Sequence, residues 1–437
     1  MDNIFKTKNI TNGLSGEITI PPDKSISHRA LIFSALTNGK VKIKNISLGQ
    51  DCISTLKILE KLGVKIEFLS KRDLILDSTN GLSTNEEIIL DCGNSGTTTR
   101  LLSGLFARCN FACELVGDNS LSKRPMKRII APLRQMGAKI ESNEDKLPLK
   151  IKGTLLNPIE YYSPIASAQV KSCLILAGLG INGKTKIYEP TLSRNHSEIM
   201  LEYLEASIKS GKDKKGYFVE VEKSNLIPKD IEIVGDISSA AFFMVMGAIV
   251  PNSSITIKNV GINPTRTGIL DIFKQAEIDF EIINERKISN ELCADIKVNY
   301  TPNIKPFEIK GELVPRLIDE IPILAVLASQ AQGKSIVSDA KDLRNKESDR
   351  IKTIVEAFLS LEIKIKENED GFEIVGKTEI NKKATLETHL DHRLAMSYFV
   401  LSLINRQEMS IKGFDCINTS FPEFMELARK LGYGKQL

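Results

Sequence analysis

The sequence lacks any apolar segment long enough to cross a membrane and any recognisable leader. Across its 437 residues, no window approaches the roughly 18 to 20 consecutive apolar residues that a membrane-spanning helix requires. Residues 1–6 (MDNIFK) lack the basic and then apolar order of a secretory signal. We therefore expect a cytoplasmic protein that does not interact with a membrane.

Cysteine and histidine are too few and too scattered for a disulfide framework or a metal site. The seven cysteines are an odd number spread through apolar segments, and no Cys-x-x-Cys motif occurs. Among the four histidines, His389 and His392 lie close together, but no third ligand is evident. We expect reduced cysteines, no metal and no cofactor.

The charge balance argues against a nucleic-acid-binding protein. The net charge is only +4, from 59 Lys and Arg against 55 Asp and Glu, far from the basic stripe of a nucleic-acid binder. The hydrophobic fraction of 42% is that of an ordinary globular protein. The length exceeds what one hydrophobic core usually serves, so we expect two domains of about 200 residues each.

One local pattern recurs six times along the chain. A short polar segment runs directly into a helix of small apolar residues near residues 24, 94, 167, 236, 319 and 391, at steps of 69 to 83 residues. Short β-branched runs typical of half-buried strands lie between these helices, at residues 41–46, 88–90, 185–188, 231–234, 254–257 and 372–375. Residues 53–63 and 126–137 have the period of amphipathic helices. The pattern indicates six α/β modules, three on each side of a seam near Gly235, with a second candidate hinge at residues 21–23.

Cations occur where these predicted helices begin. Lys24, Arg29, Arg100 and Arg393 fall in the first or second turn of a predicted helix. The partial positive charge of a helix N-terminus favours anions there, so several cations together suggest that a phosphate or carboxylate ligand lies between them and the helix. Any single one of these cations could instead face solvent or pair with a nearby acid.

Two further segments are dense in charge and contain the acid and base candidates. Residues 120–128 hold four cations in an ordered loop, and residues 342–350 mix three cations with three acids. Glu347 lies between Lys346 and Arg350, whose charges favour its ionised form. Asp319 stands at a predicted helix start, where it is either a helix cap or a functional base. Lys24 is either a surface lysine or a phosphate ligand.

Seven segments, taken together and in this order, resemble the 5-enolpyruvylshikimate-3-phosphate synthase family. The resemblance extends from about Gly16 to Pro422 and rests on residues 23–29 (DKSISHR), 93–100 (GNSGTTTR), 124–126 (RPM), 167–172 (SAQVKS), 319–322 (DEIP), 343–350 (LRNKESDR) and 391–393 (DHR).

The resemblance implies a fold and a domain arrangement. It implies an α/β protein with two similar domains, each of three βαβαββ repeats, and an active site in the interdomain cleft to which the helix N-termini point. The first domain would comprise residues 21–235, and the second would comprise residues 1–20 and 236–437. The strand near residues 14–20 would cross to join the C-terminal half.

The resemblance also implies a reaction and a set of site residues. The enolpyruvyl group of phosphoenolpyruvate would pass to the 5-hydroxyl of shikimate 3-phosphate through a tetrahedral intermediate, in the shikimate pathway that leads to chorismate and the aromatic amino acids. Asp319, Glu347 and Lys24 would be catalytic. Shikimate 3-phosphate would be held by Lys24, Ser25, Arg29, Ser167, Gln169, Ser193, Asp319 and Lys346. Phosphoenolpyruvate would be held by Lys24, Gly96, Arg124, Gln169, Arg350 and Arg393. A monomer is expected.

Two alternatives are weighed against this interpretation. A sister transferase that places enolpyruvyl on UDP-N-acetylglucosamine normally has Lys-Asn near its N-terminus and a reactive loop cysteine, whereas this chain has Lys24-Ser25 and no cysteine within residues 117–128. A non-catalytic anion-binding or nucleic-acid-binding protein would not require both Asp319 and Glu347, and its cations should spread over a surface.

Overall fold

The structure, a computed structural model, describes residues 4–7, 13–84 and 87–434. The described residues form two compact units. The first unit contains residues 22–234 together with 287–291, and the second contains residues within 1–21, 235–286 and 292–437.

Helices and strands alternate along the chain. The helices are α1 Lys24–Ser34, α2 Gln50–Lys61, α3 Gly96–Phe106, α4 Lys127–Gln135, α5 Ala168–Gly178, α6 His196–Tyr203, α7 Ile237–Ile249, α8 Gly268–Gln275, α9 Val314–Leu317, α10 Ile321–Gln330, α11 Arg350–Ser360, α12 His392–Ser402 and α13 Phe424–Lys430. The strands are β1 Ile4–Lys6, β2 Ser15–Thr19, β3 Lys40–Lys44, β4 Lys65–Phe68, β5 Leu74–Asp77, β6 Ile88–Asp91, β7 Ala112–Val116, β8 Lys139–Asn143, β9 Lys146–Lys152, β10 Glu160–Tyr162, β11 Thr185–Glu189, β12 Ile208–Asp213, β13 Gly216–Val221, β14 Ile231–Glu232, β15 Ser254–Gly261, β16 Phe280–Ile288, β17 Glu291–Asn299, β18 Glu308–Ile309, β19 Lys334–Val337, β20 Lys364–Asn368, β21 Gly371–Val375, β22 Ala384–Glu387 and β23 Met409–Lys412.

The first unit is built from three four-stranded sheets of the same design. Their strand orders are β14-β3-β5-β4, β6-β7-β9-β8 and β10-β11-β13-β12. Each sheet begins with one parallel pair and continues with antiparallel pairs. A parallel pair needs a crossover connection, and in the second and third sheets α3 and α5 provide it. The predicted repeat is therefore present in this unit.

The second unit repeats the design with one variation. Its sheets have the orders β16-β17-β15-β2, β18-β19-β21-β20 and β1-β23-β22. β2 pairs in parallel with β15, and β1 pairs antiparallel with β23, so the N-terminal segment completes two of the three sheets. The fold is thus the predicted α/β architecture of two similar halves with three repeats each.

The six predicted helices of small apolar residues form the buried centres of the two units, with three helices in each. Every residue from Val170 to Gly178 in α5 is buried, and α7 and α12 are buried along almost their whole length. A helix that is apolar all round can be stable only when other elements cover it. Within the first unit α3 contacts α1 and α5, and within the second unit α10 contacts α7 and α12. No helix within the described ranges has the length and apolar character needed to span a bilayer.

Most predicted boundaries agree with the structure. The amphipathic run at 53–63 is confirmed as α2, which begins three residues earlier, and the run at 126–137 is confirmed as α4. Four of the six predicted strands are confirmed in full, while only residues 41–44 of the run 41–46 and residues 231–232 of the run 231–234 form strands. All seven cysteines are free, as expected.

Candidate active site

Five of the six central helices begin at a polar residue whose side chain caps the helix. Each capping side chain accepts a hydrogen bond from a main-chain N–H in the first turn, and these residues are Asp23, Ser95, Ser167, Asp236 and Asp391. The sixth helix, α10, has Glu320 at its N-cap position without a side-chain cap bond. Asp319 lies one residue before that position.

In the first unit, Lys24 at the start of α1 is held by an acid of the next helix. Lys24 Nζ lies 3.0 Å from Asp51 Oδ2, and both side chains are partly exposed. Thr98 Oγ1 in α3 donates to the Asp51 main-chain carbonyl at 3.3 Å. Thr55 lies between Thr98 and the buried His28, with oxygen–oxygen and oxygen–nitrogen distances of 2.7 and 2.8 Å. These polar contacts fix the starts of α1, α2 and α3 relative to one another.

Arg29 is buried and is already engaged in hydrogen bonds. Its guanidinium donates to the Ser25 carbonyl at 2.9 Å, to Ser172 Oγ at 2.8 Å and to Ser197 Oγ at 2.7 Å. Three of the five N–H groups of this arginine therefore organise α1, α5 and α6. Burial lowers the pKa of Arg29 to about 10, which still leaves the side chain charged near neutral pH.

Two arginines flank Gly96 at the start of α3. A Cβ atom at Gly96 would lie 3.0 Å from Arg100 Nη1 and 3.7 Å from Arg124 Nη1, so the absence of a side chain keeps this approach open. Arg124 Nη2 donates to Asn94 Oδ1 at 2.9 Å. Arg100 donates to Gln169 Oε1, and Gln169 Nε2 donates to Thr97 Oγ1 at 3.0 Å. The predicted residue Gly96 thus lies beside Arg124 and Arg100, and Arg100 connects α3 to the predicted residue Gln169 of α5.

The predicted residues Ser167 and Ser193 share one partner. The main-chain N–H of Ser167 donates to Glu189 Oε1 at 3.1 Å, and Ser193 Oγ donates to the same oxygen at 2.6 Å. Glu189 is the last residue of β11 and is buried. One carboxylate thus connects the start of α5 with the loop that follows β11.

In the second unit, Arg350 gathers three carboxylates. This first residue of α11 is buried, and its Nε donates to Asp391 Oδ2 at 2.8 Å. Its Nη2 donates to Glu347 Oε2 at 2.7 Å, and its Nη1 lies 3.6 Å from Asp319 Oδ1. Burial alone would lower the pKa of Arg350, but Asp391, Glu347 and Asp319 outweigh it and raise the pKa above its ordinary value. Arg350 is therefore a permanent cation.

Arg393 joins the charged cluster around Arg350 through Asp319, whereas Lys346 pairs with Asp342 in the segment before α11. Arg393 Nη1 donates to the Asp319 main-chain carbonyl at 3.2 Å, and its Nε lies 3.9 Å from Asp319 Oδ1. Lys346 Nζ lies 3.5 Å from Asp342 Oδ2. Asp319, Glu347, Arg350 and Arg393, predicted from three separate segments, thus meet at the starts of α10, α11 and α12.

Several partners of these residues could not be recognised from the sequence. Asp51 and Glu189 hold predicted site residues, but no local pattern distinguishes them from surface acids. Asn94 and Asp391 were recognised only as parts of helix starts, although Asn94 accepts from Arg124 and Asp391 is the buried partner of Arg350. Among the described residues, no three His, Cys, Asp or Glu side chains group as a metal site would require.

These observations define an α/β protein of six repeats whose helix starts hold cations, together with paired carboxylates suited to proton transfer. The family model for EPSP synthase (3-phosphoshikimate 1-carboxyvinyltransferase) matches residues 8–427 of the chain. The chain belongs to this family.

Relatives and solved structures agree with that assignment. The 3-phosphoshikimate 1-carboxyvinyltransferase of Petrotoga mobilis is 45% identical over 425 residues, covering 96% of this chain and 98% of that protein. The enzyme of the same name from Thermoanaerobacter sp. strain X514 is 47% identical over 417 residues, covering 94% and 96%. A solved structure of EPSP synthase from Acinetobacter baumannii is 36% identical, covers 98% of both chains and has a TM-score of 0.87.

Proposed function

We propose that this chain transfers the enolpyruvyl group of phosphoenolpyruvate to the 5-hydroxyl of shikimate 3-phosphate and releases phosphate. Membership of the EPSP synthase family over nearly the whole chain supports this activity. The protein is then a transferase of the shikimate pathway, which supplies chorismate and the aromatic amino acids. The structural observation that carries the proposal is the pair of carboxylates, Asp319 and Glu347, held by the single buried Arg350.

The proposed chemistry is an addition followed by an elimination. As the 5-oxygen bonds to C2 of phosphoenolpyruvate, Asp319 takes the hydroxyl proton and the methylene carbon gains a proton. The tetrahedral adduct then loses a proton from the same carbon while the bond from C2 to the phosphate oxygen breaks. Glu347, with Lys24, manages both proton transfers at that carbon. Positioned acids and bases of this kind contribute typically 10²- to 10⁴-fold to a rate.

The cations of both units neutralise substrate charge in this proposal. Each substrate carries a phosphate and a carboxylate, and guanidinium groups bind such planar or tetrahedral anions through paired hydrogen bonds. Shikimate 3-phosphate would be held by Lys24, Ser25, Arg29, Ser167, Gln169, Ser193, Asp319 and Lys346. Phosphoenolpyruvate would be held by Lys24, Gly96, Arg124, Gln169, Arg350 and Arg393. The N-termini of α1, α3, α5 and α12 add partial positive charge beside Lys24, Gly96, Ser167 and Arg393.

The assay for this function is phosphate release from purified protein. We expect release only when phosphoenolpyruvate and shikimate 3-phosphate are both present, with an equal amount of 5-enolpyruvylshikimate 3-phosphate detected by mass spectrometry. Replacing shikimate 3-phosphate by UDP-N-acetylglucosamine should abolish release. Activity with the sugar nucleotide would assign the chain to the sister reaction, and no release with either acceptor would refute the proposal.

The proposal also includes the domain boundaries, the cellular location and the assembly state that we expect from the sequence. The two compact units support domains of residues 21–235 and of residues 1–20 with 236–437, because the units divide next to residues 21 and 235. One difference is that residues 287–291 belong to the first unit. Residues 1–3, 8–12 and 435–437 of these ranges lie outside the described residues. Cell fractionation and sedimentation test the proposed cytoplasmic location and monomeric state.

A further inference from the structure

A buried group of charges lies behind the two serines of the first unit. Lys171 Nζ is 2.9 Å from Glu189 Oε2 and 2.8 Å from Glu198 Oε1, and these three side chains are at most 7% exposed. Lys171 Nζ also reaches the Ser193 main-chain carbonyl at 3.4 Å. Buried ion pairs persist only where partners compensate the lost hydration, so the geometry of this group is tightly constrained.

The charges of this group balance. Lys171 lies in the first turn of α5, where the helix dipole disfavours a cation. Burial also lowers the pKa of Lys171, but Glu198 and Glu189 outweigh it and raise the pKa. Glu198 also acts on the buried Arg29, where it raises the pKa and partly offsets the effect of burial, which lowers it. Glu189 and Glu198 therefore both compensate the buried Lys171.

The two oxygens of Glu189 face donors on both sides. Oε2 faces the Lys171 ammonium, while Oε1 accepts from the Ser167 N–H and from the Ser193 hydroxyl. A carboxylate accepts through both oxygens, whereas a glutamine amide has one accepting and one donating end. In either orientation a glutamine would direct its N–H₂ at a donor. This position therefore requires a side chain that accepts through both of its oxygens, as a carboxylate does.

We propose that Glu189 is a positioning residue that fixes the Ser167 main chain and the loop carrying Ser193, so that both serines can bind shikimate 3-phosphate. The inference rests on the proposed function, in which both serines contact that substrate. Lys171 anchors the carboxylate and offsets its charge, because an uncompensated carboxylate beside an anionic substrate would repel it.

The Ser193 hydroxyl has a specific part in this arrangement. Its single proton is directed to Glu189 Oε1, whereas the phosphate and the carboxylate of the substrate are hydrogen-bond acceptors. Ser193 can donate to either of these groups only by leaving Glu189. When Ser193 leaves, Lys171 and the Ser167 N–H still contact the Glu189 carboxylate, so this buried charge keeps its other partners.

The test measures binding of shikimate 3-phosphate by calorimetry together with steady-state kinetics. For Glu189→Gln we expect the Kd and KM for shikimate 3-phosphate to rise about tenfold or more, with the KM for phosphoenolpyruvate within about threefold of the parent value. Glu189→Asp keeps the charge but is one methylene shorter, so it cannot reach Lys171 and the serines together. It should weaken shikimate 3-phosphate binding in the same selective way.

The matched control is Glu222→Gln. Glu222 is an exposed acid of the same unit that pairs with the exposed Lys184. An exposed ion pair contributes little, so the Kd for shikimate 3-phosphate should stay within about threefold of the parent value. Equal weakening by Glu222→Gln and Glu189→Gln would assign the effect to a general loss of negative charge and overturn the inference. The inference would also be overturned if Glu189→Gln and Glu189→Asp fold and bind shikimate 3-phosphate with the parent Kd. It would equally be overturned if neither of these two variants folds, because Glu189 would then have a purely structural role.

Failure of the proposed function gives a different result. If the parent protein binds shikimate 3-phosphate but releases no phosphate with phosphoenolpyruvate, the proposed function fails while the Kd series still decides the role of Glu189. If the parent protein does not bind shikimate 3-phosphate, both the function and the inference fail.

Discussion

The three carboxylates around Arg350 differ in their exposure, and this difference separates a structural role from a chemical one. The Asp391 side chain is fully buried and also caps α12, whereas the Asp319 and Glu347 side chains are 17% and 27% exposed. An acid that transfers protons must have an oxygen that the substrate can reach. Asp391 therefore fixes Arg350, and Asp319 and Glu347 remain available for catalysis.

Replacing Glu347 by glutamine tests this assignment. Arg350 keeps its bonds to Asp391, so the fold of the second unit should persist while the proton-transferring group is lost. We expect Glu347→Gln to lower kcat by about 10² to 10⁴ and to leave the dissociation constants of both substrates within a few fold. The measurements are phosphate-release kinetics and calorimetry.

A matched surface variant controls for the loss of one negative charge. Glu369, an exposed acid paired with Lys341, lies in the same unit. Glu369→Gln should keep the parent kcat because an exposed ion pair contributes little. Near-normal turnover in Glu347→Gln would remove this residue from the mechanism.

At the residue scale, the predictable part of the site is what stands at a helix start. Arg393 was found because a cation is unusual there, and Asp319 because it precedes an apolar helix. Asp51 and Glu189 could not be found in this way, because Asp51 acts on Lys24, 27 positions away, and Glu189 joins the nearby Ser193 to Ser167, 22 positions away. Their importance arises only from tertiary packing.

At the scale of elements, the segment between β22 and α12 has an unfavourable backbone conformation. His389 and Leu390 have φ angles of +49° and +60°, and Leu390 is 74% exposed. The left-handed region costs a non-glycine residue roughly 1–2 kcal/mol, and least for asparagine and aspartate. The exposed Leu390 side chain gains little from burial in return. This strain lies directly before Asp391 and Arg393.

Leu390→Asn should therefore stabilise the protein. Asparagine tolerates the left-handed region, so we expect the free energy of unfolding to rise by about 0.5–1 kcal/mol. Leu155→Asn is the control, since Leu155 is 99% exposed and is not among the described residues with positive φ. It should change stability by less than about 0.5 kcal/mol. Denaturant titrations measure both, and equal shifts in the two variants would contradict the role of the backbone.

Helix starts were predictable at this scale because their signals are local. A capping side chain bonds to a main-chain N–H two or three residues away, so the sequence alone contains both partners. The sheets depend on distant partners instead. The short strand β14 joins β3 across more than 180 residues, and two residues of the predicted run 231–234 remain outside the strand. Register of this kind is set by the assembled unit and not by the local run.

At the scale of the whole molecule, the chain path makes the two units unequal. All three sheets of the first unit are complete within residues 22–234. The second unit needs β1 and β2 from the N-terminal segment, and Phe5 of β1 stacks on Phe414 with ring centroids 4.4 Å apart. The repeat count was predictable from spacing, but this dependence on the N-terminus came from the family resemblance.

Isolated fragments test that inequality. We expect residues 22–234 to fold alone with a cooperative thermal transition, because the fragment keeps every strand pair of its sheets and its three buried helices. The fragment should be less stable than the full chain, since His196 loses Glu291, whose carboxylate lies 2.7 Å from His196 Nδ1.

Residues 235–437 alone should not fold cooperatively, because two sheets lose a strand. The main-chain N–H of Asp236 donates to the Pro21 carbonyl at 3.0 Å, so a chain joining residues 1–21 directly to residue 235 should restore folding. Circular dichroism and calorimetry decide the matter, and a cooperative transition in residues 235–437 without the N-terminal strands would contradict this account of the second unit.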